Sequence, residues 1–474
     1  MTAPGLLLAS NRGPVSWAAD ASGALVARRG GGGLVSALAE GTGRTGTACD
    51  ALWVCAALSD GDRQAVATGV AATPGVHMLD IDREVFRRAY SSVANGLLWF
   101  TAHLLWSTPR APAFDEGTRR DWAAYGTYAD AFARALAAAA APGARVLVQD
   151  YHLTLVPRRL RALRPDLRIG HFSHTPWAPP EYFRLLPDEV VAGVLGGMLG
   201  ADAVGFLSPR WADAFTRCCV ELLGAEAVPG GVRHEGRVTS VSVHALGVDA
   251  AALGRRAAEP EVTDRLPALR DLVGDRQLLL RVDRTDLSKN LLRGLAAYRE
   301  LLHTRPAWRG RVVHLALAYE SRHDLAEYRE YTRAVRAAAV AVNDEFGTPG
   351  WQPVHLEVKD DHARSVAALT LADVLLVNPL RDGMNLVAKE GPVLSAGGLS
   401  LVLSREAGAA DELGRDALLV NPYDVSQTAQ ALHRALSEPP DVRAERTRRL
   451  AAAAGALPPT AWLAAQLAVL DRPS

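Results

Sequence analysis

The chain is short of cysteine and of net charge, and it has no long uninterrupted apolar run; each shortage excludes something. Its 474 residues include four cysteines, Cys49, Cys55, Cys218 and Cys219. They lack metal-ligand spacing, and the adjacent Cys218 and Cys219 are poorly placed to bond to each other. They read as reduced, mostly buried thiols of a cytoplasmic protein, not as a disulfide framework. The 52 basic residues balance 52 acidic ones. That balance argues against a nucleic-acid-binding tail, a membrane-surface binder or a disordered chain, so a charged ligand must be met by a local cluster. No segment reaches the length of a membrane span without a charge, a proline or a glycine, and Met1 to Leu8 lack the basic start and apolar length of a signal peptide. Histidines at i, i+4 spacing, CxxC pairs, a GxSxG elbow and a P-loop are also missing, so no metal or cofactor is expected.

What is present is an alternation. Apolar runs such as Leu6–Ala9, 52–55, 145–148, 168–172, Ala203–Phe206, 277–282, 312–317, Val374–Val377, 399–403 and 417–420 alternate with helical patterns at 130–141, Pro209–Leu223, 291–303, 321–345 and 425–437. This is the pattern of an α/β protein with parallel sheets flanked by helices. The length exceeds one hydrophobic core and predicts two Rossmann-like halves. A boundary falls at Gly247-Val248-Asp249. It gives an N-terminal domain of residues 1–247, a C-terminal domain of residues 248–457, and a terminal helix within 458–474 that packs back on the first half.

Chemistry-bearing residues gather where strands end. Asn378-Pro379-Leu380-Arg381-Asp382-Gly383-Met384-Asn385-Leu386-Val387-Ala388-Lys389-Glu390 follows an apolar strand, the position at which open α/β sheets hold ligands. Asp382, Gly383 and Asn385 sit where the chain turns into a helix whose free N–H groups suit hydroxyls and phosphates, with Glu390 expected about two turns in. Ser10 to Pro14 follows the first strand, and Gly30 to Gly33 form a run that serves equally as a phosphate cradle or as a flexible turn. Asp150 ends another strand and is a candidate acceptor for sugar hydroxyls. His174 ends the next and is a functional candidate, whereas His152 and His171 read as packing residues. Arg284 and Lys289 flank a tight strand-to-helix loop and together suit a diphosphate, a fork beside a point charge.

These segments together resemble the trehalose-6-phosphate synthases, a retaining GT-B glycosyltransferase family. The matching blocks are SNRGP (10–14), GGGGL (30–34), QDYHL (149–153), HTPW (174–177), RTDLSKN (284–290), RDGMNLVAKE (381–390), LSREAGA (403–409) and VNPYD (420–424), in the family's order. The resemblance implies two Rossmann-like domains with the active site in the cleft between them. It also implies transfer of glucose from a nucleotide sugar to glucose 6-phosphate with retention. It places Arg12, Gly32 and Gly33 near the donor diphosphate and the acceptor. Arg284 and Lys289 would neutralise the leaving diphosphate. Asp382 and the backbone at Asn385, Leu386 and Val387 would hold the transferred glucose and the phosphates, and His174 would contact that sugar. Glu390 would bind the donor ribose. Tyr90, Asp150 and Arg322 would hold glucose 6-phosphate, with Trp99 shaping the pocket.

Phe100, Gln149 and His244 depart from the family's commonest residues without removing a charged group. More telling is Val358-Lys359-Asp360-Asp361, near the implied site of the donor base. A carboxylate such as Asp360 accepts two hydrogen bonds from guanine, and uracil has no such paired donors. The chain thus resembles the actinobacterial members that use GDP-glucose; UDP-glucose ranks second, and a solvated helix start is the bland alternative. Two rival functions remain, a pseudo-glycosyltransferase coupling cyclitols and an inactive sugar-phosphate sensor. The intact DGMNLVAKE block and the presence of Arg284, Lys289 and Arg322 weigh against them. Oligomeric state stays open, a homo-oligomer included.

Overall fold

A computed structural model describes residues 3–20, 22–29, 38, 51–71, 73–395 and 397–471. The chain forms two compact units, Met1–Ala245 with Pro459–Ser474, and Leu246–Pro458.

The first unit is built on a nine-stranded sheet in the order Val76–Leu79, Leu52–Ala56, Leu6–Ala9, Arg145–Gln149, Arg168–Ser173, Ala203–Phe206, Arg237–Val243, Gly231–His234, Glu226–Val228. The first seven are parallel, and the last two are added through antiparallel pairings, Gly231–His234 running opposite to the rest. Helix Pro459–Leu470 lies on the middle of this sheet, with the fully buried Trp462 edge-on to Phe172 at 5.1 Å. The second unit has a six-stranded, all-parallel sheet in the order Val354–Val358, Val312–Tyr319, Gln277–Arg284, Val374–Val377, Ser400–Ser404, Leu418–Val420.

Numbered along the chain within each of these sheets, the first six strands of both run 3-2-1-4-5-6. In this doubly wound order the direction of winding reverses between strands 1 and 4, and the loops leaving those two strands diverge to open a ligand crevice at their C-terminal ends. In the first unit they are the loops after Ala9 and Gln149. In the second they are the loops after Arg284 and Val377. The strands themselves are near-continuous apolar runs, because helices cover both faces of a parallel sheet.

The differences from the sequence reading have local causes. Strands Val76–Leu79 and Val354–Val358 were not expected; each lies on a sheet edge, has one neighbour, and is only partly buried, so its apolar signal is weak. The helix expected at 130–141 spans Glu116–Ala139, started by an Asp115–Thr118 capping box and buried along Tyr125, Tyr128, Ala129, Phe132 and Leu136. The helix expected from residue 321 begins at Ala326 because Arg322 is left-handed (φ 51°) and its carbonyl instead closes a turn to Leu325 N–H. The polar stretch after Asp249 holds helices Ala250–Ala257 and Pro260–Thr263. Its polar residues coat short surface helices.

One buried group gives the fold an acid-sensitive side. His314 is fully buried in strand Val312–Tyr319, edge-on to Tyr298 at 5.1 Å, and neither ring nitrogen has a partner among the described residues. Desolvation, and secondarily Arg281, push its pKa down to about 3. It therefore stays neutral in the fold, whereas the unfolded chain takes up a proton below about pH 6.5. Stability tied to His314 is present above that pH and is lost as pH falls towards 3, by about 1.4 kcal/mol per pH unit. Urea titrations between pH 7 and 4 should show a shallower acid loss for His314→Leu than for the parent chain.

Candidate active site

In the second unit the two loops at the switch point are stitched together. After strand Gln277–Arg284 the chain makes a tight turn, Leu287–Lys289, held by Asp286, whose Oδ1 accepts Ser288 N–H and Oγ–H at 2.9 Å each. Asn290 follows in the left-handed region (φ 62°) and its Nδ2 donates to the carbonyls of Asn378 (3.0 Å) and Pro422 (2.8 Å). Arg281 is 2% exposed; it donates to Asn378 Oδ1 at 2.5 Å and to the Lys289 carbonyl, and lies 3.0 Å from Asp283. Burial raises the Asp283 carboxyl despite that neighbour. Leu380 N–H closes on the Ser288 carbonyl at 2.7 Å. The result aims Lys289 at the second loop, where its Nζ pairs with Asp382.

Asp382 is held from every side. Asn385 Nδ2 donates to its Oδ2 at 3.1 Å; its N–H donates to the Glu406 carbonyl at 3.2 Å, and its carbonyl accepts Gly408 N–H at 3.1 Å. Asn385 has φ 82°, and its Oδ1 accepts Ala388 N–H at 3.1 Å, so it caps the helix Val387–Leu394. Leu386 and Val387 carry N–H groups of the kind every helix start leaves without an internal acceptor. Because Asn385's positive φ delays the helix to Val387, Glu390 is its fourth residue, in the first turn and not two turns in.

Arg284 and Arg322 converge on one carboxylate. Asp286, fully buried, receives Arg322 Nη1 at 2.5 Å and lies 3.8 Å from Arg284 Nη2. Arg322 also sits over the Tyr328 ring at 5.5 Å. Register puts Tyr319 beside Arg284 and Val358 beside Ala318, so Arg284, Tyr319 and Asp360 come from three adjacent strand ends. Asp361 is the helix cap there, accepting Arg364 N–H at 3.0 Å, while Asp360 is exposed.

In the first unit the same two positions hold Arg12 and Asp150. Arg12 is exposed after strand Leu6–Ala9, and its carbonyl accepts Ser10 Oγ–H at 2.7 Å. Asp150 takes an unusual backbone (φ 72°); its Oδ1 accepts His174 N–H at 3.1 Å and its Oδ2 lies 3.9 Å from His152 Nδ1. His174 Nε2 meets Gln149 Oε1 at 2.9 Å. Burial, then His171, push its pKa down to about 3, so it works as a neutral hydrogen-bonding ring. Tyr90 stacks between Phe86 (5.2 Å) and His152 (5.7 Å), and lies on the π-helical stretch Arg88–Leu98. Trp99 follows it, 7% exposed and stacked on His103 at 3.8 Å. Gly32 and Gly33 lie outside the described residues. Of the departures, Phe100 packs on Trp106 at 4.9 Å, and the His244 carbonyl accepts Trp462 Nε1–H at 3.1 Å.

The structure thus brings Arg284, Lys289, Asp382, Asn385 and Arg322 together in one unit, and Tyr90, Asp150 and His174 in the other. Sequence reasoning missed Arg281, Asp286, Tyr319 and the 406–408 backbone. Asp286 was in view within RTDLSKN but was overlooked beside its cationic neighbours. Among the described residues no cluster of His, Cys, Asp and Glu is set to hold a metal ion.

The profile of glycosyltransferase family 20 matches residues 7–472. The chain belongs to this family. Among its relatives is the UDP-forming α,α-trehalose-phosphate synthase A of Dictyostelium discoideum, 30% identical over 94% of this chain and 59% of that protein. The chain spans about half the length of the first curated relatives it matches. Two solved structures cover it nearly end to end. One is from E. coli, bound with UDP-2-fluoro glucose, at TM-score 0.85 and 26% identity, covering 99% of each chain. The other, a UDP-forming synthase from Burkholderia xenovorans in complex with glucose-6-phosphate, has TM-score 0.85 and 25% identity, covering 98% of this chain and 100% of that one. Both have the GT-B fold, and so does this member of family 20.

The loop around Asp382 leaves no room for a side chain at one point. A Cβ on Gly408 would fall 2.0 Å from the Gly383 carbonyl oxygen, backbone against backbone. Gly408→Ala should therefore cost about 1–3 kcal/mol by urea denaturation. Gly350→Ala, where nothing lies within 4 Å, should stay within roughly 0.5 kcal/mol of the parent chain.

Proposed function

We propose that the chain is an α,α-trehalose-6-phosphate synthase, transferring glucose from a nucleotide sugar to the 1-hydroxyl of glucose 6-phosphate with retention. The observation that carries this reading is the convergence of Arg284, Lys289 and Asp382 on the two switch-point loops of the second unit. Two cations beside helix N–H groups suit a departing diphosphate, and a carboxylate fixed by Lys289 and Asn385 suits sugar hydroxyls. Asp382 is a sugar holder, not a nucleophile: both its neighbours already donate to it, and a second carboxylate of the kind retaining glycosidases need has no place in that scheme. The diphosphate leaves on the face where the acceptor attacks, and its oxygen takes the acceptor's proton. Catalysis is then positioning plus electrostatic stabilisation. In the first unit Asp150, Tyr90 and Trp99 are assigned to glucose 6-phosphate and His174 to the transferred sugar; in the second, Arg322 is assigned to a sugar phosphate and Glu390 to the ribose. The reaction needs no metal, since side-chain cations supply the positive charge, and it takes place in the cytoplasm.

For the donor base we propose guanine. Asp361 is already the helix cap, which leaves the exposed Asp360 carboxylate to accept from N1–H and the amino group. The UDP-forming names of the relatives favour uracil as the second reading. Nucleoside diphosphate release should require both substrates and persist in EDTA. GDP-glucose should outrun UDP-glucose, with Asp360→Asn narrowing the gap; a clear UDP-glucose preference removes the guanine reading. Lys289→Ala should lower kcat roughly 100- to 1,000-fold with the KM for glucose 6-phosphate nearly unchanged. Normal turnover would remove Lys289 from the mechanism.

A further inference from the structure

A lysine has no ordinary reason to be fully buried on the helix that carries the candidate donor loop, and Lys389 is. Its four-carbon stem crosses the interior of the second unit. At the far end Nζ donates to the Leu246 carbonyl at 2.8 Å and pairs with Glu412. Glu412 belongs to the short helix Ala410–Leu413, directly after the 406–409 backbone that holds Asp382 and Met384. Leu246 is the first residue of the unit, and the two residues after it are pinned as well. Gly247 N–H donates to the Leu457 carbonyl at 2.8 Å, and Val248 N–H to that of Ala454 at 3.0 Å. A Cβ on Gly247 would lie 2.7 Å from both the Ala454 and Leu457 carbonyl oxygens. The places where the chain enters and leaves this unit are therefore bonded to each other, and Lys389 ties them to the loop.

A methionine of similar length would fill the same space without desolvating an ammonium, so packing does not explain the charge. What the charge provides is two directional bonds from one atom, one to each segment. We propose that Lys389 is a positioning residue that couples the Asp382–Val387 loop and helix start to the segment Leu246–Val248, so that ligand binding at the loop is felt where the chain enters the unit. Lys389 stands two residues after Val387, and its own N–H closes on Leu386 at 2.8 Å. A shift of the helix start on ligand binding moves Nζ relative to its two acceptors.

The inference rests on reading the Asp382 loop as the nucleotide-sugar site, and hydrogen exchange on the full chain separates the two. UDP and GDP are the probes. In the parent chain either nucleotide that binds should slow exchange at Leu386 and Val387 and also at Gly247 and Val248. Lys389→Met can leave Glu412 unpaired and unfold the unit, so the decisive protein is Lys389→Met/Glu412→Gln, which removes the pair together. It should keep protection at Leu386 and Val387, lose it at Gly247 and Val248, and show a roughly tenfold lower kcat/KM for the donor with an unchanged KM for glucose 6-phosphate. Protection that reaches Gly247 and Val248 in the double variant, or that never reaches them in the parent chain, overturns the coupling. If neither nucleotide protects Leu386 and Val387 in the parent chain, the donor-site reading falls, and the coupling with it.

Discussion

The Asp382 backbone bonds, N–H to Glu406 and carbonyl from Gly408, are the constraint on which the rest of the site depends. They extend the pairing of strands Val374–Val377 and Ser400–Ser404 past the end of the sheet, where Asp382 and Ala407 still form a parallel bridge. A loop in that position ordinarily wanders. Here its main chain is pinned as a strand would be, which fixes the direction of the Asp382 side chain before any side-chain partner is counted. Lys289 and Asn385 then meet a carboxylate already in place. The glycine at 408 follows from this: two backbones approach so closely that a methyl group has nowhere to go.

Around that constraint the charges do not cancel. Arg281, Arg284, Lys289 and Arg322 face Asp283, Asp286 and Asp382, four cations against three carboxylates. Burial raises the Asp283 carboxyl, and the nearby Arg281 and Lys289 oppose that. Burying charges is costly unless each is paired and hydrogen-bonded. Arg281 and Asp286 do much of that pairing from below, Arg281 through the Lys289 carbonyl and Asp286 through Arg322 and the Ser288 turn. What remains at the strand ends is a net positive field in a partly desolvated place, where a diphosphate gains more than it would in water.

Most of this was legible as sequence, for reasons that particular residues explain. Interior strands such as Leu6–Ala9, Ala203–Phe206 and Val374–Val377 are buried on both faces and were read to the residue; edge strands Val76–Leu79 and Val354–Val358, with one neighbour each, left no comparable mark. The family was legible because its loops carry unusual residues in fixed order. The supporting carboxylate Asp286 and the cation Arg281 were not, since a charged residue within a strand or turn looks the same whether it is solvated or buried. Glu390 was misplaced by a turn because nothing in Asn385 as a letter announces a positive φ. Lys389 lay in plain view in the most informative segment and said nothing until its depth was known.

The sheet itself limits where the donor base can lie. A diphosphate met by Arg284 and Lys289 sits at the end of strand Gln277–Arg284. From there the strand order leads outward through Tyr319 to the strand preceding Asp360. Two steps between neighbouring strands, each of 4.7–4.9 Å, make about 10 Å, which is comparable to the reach of a nucleoside from its phosphate to the far edge of its base. The opposite direction leads to strand Val374–Val377 and the Asp382 loop, already committed to the sugar in this scheme. On the proposed reading the base would lie towards the edge of the sheet that carries Tyr319 and Asp360, an aromatic face beside a carboxylate. An aromatic face accepts either base, so discrimination falls to the group that reads its hydrogen-bonding edge, and Asp360 can only accept.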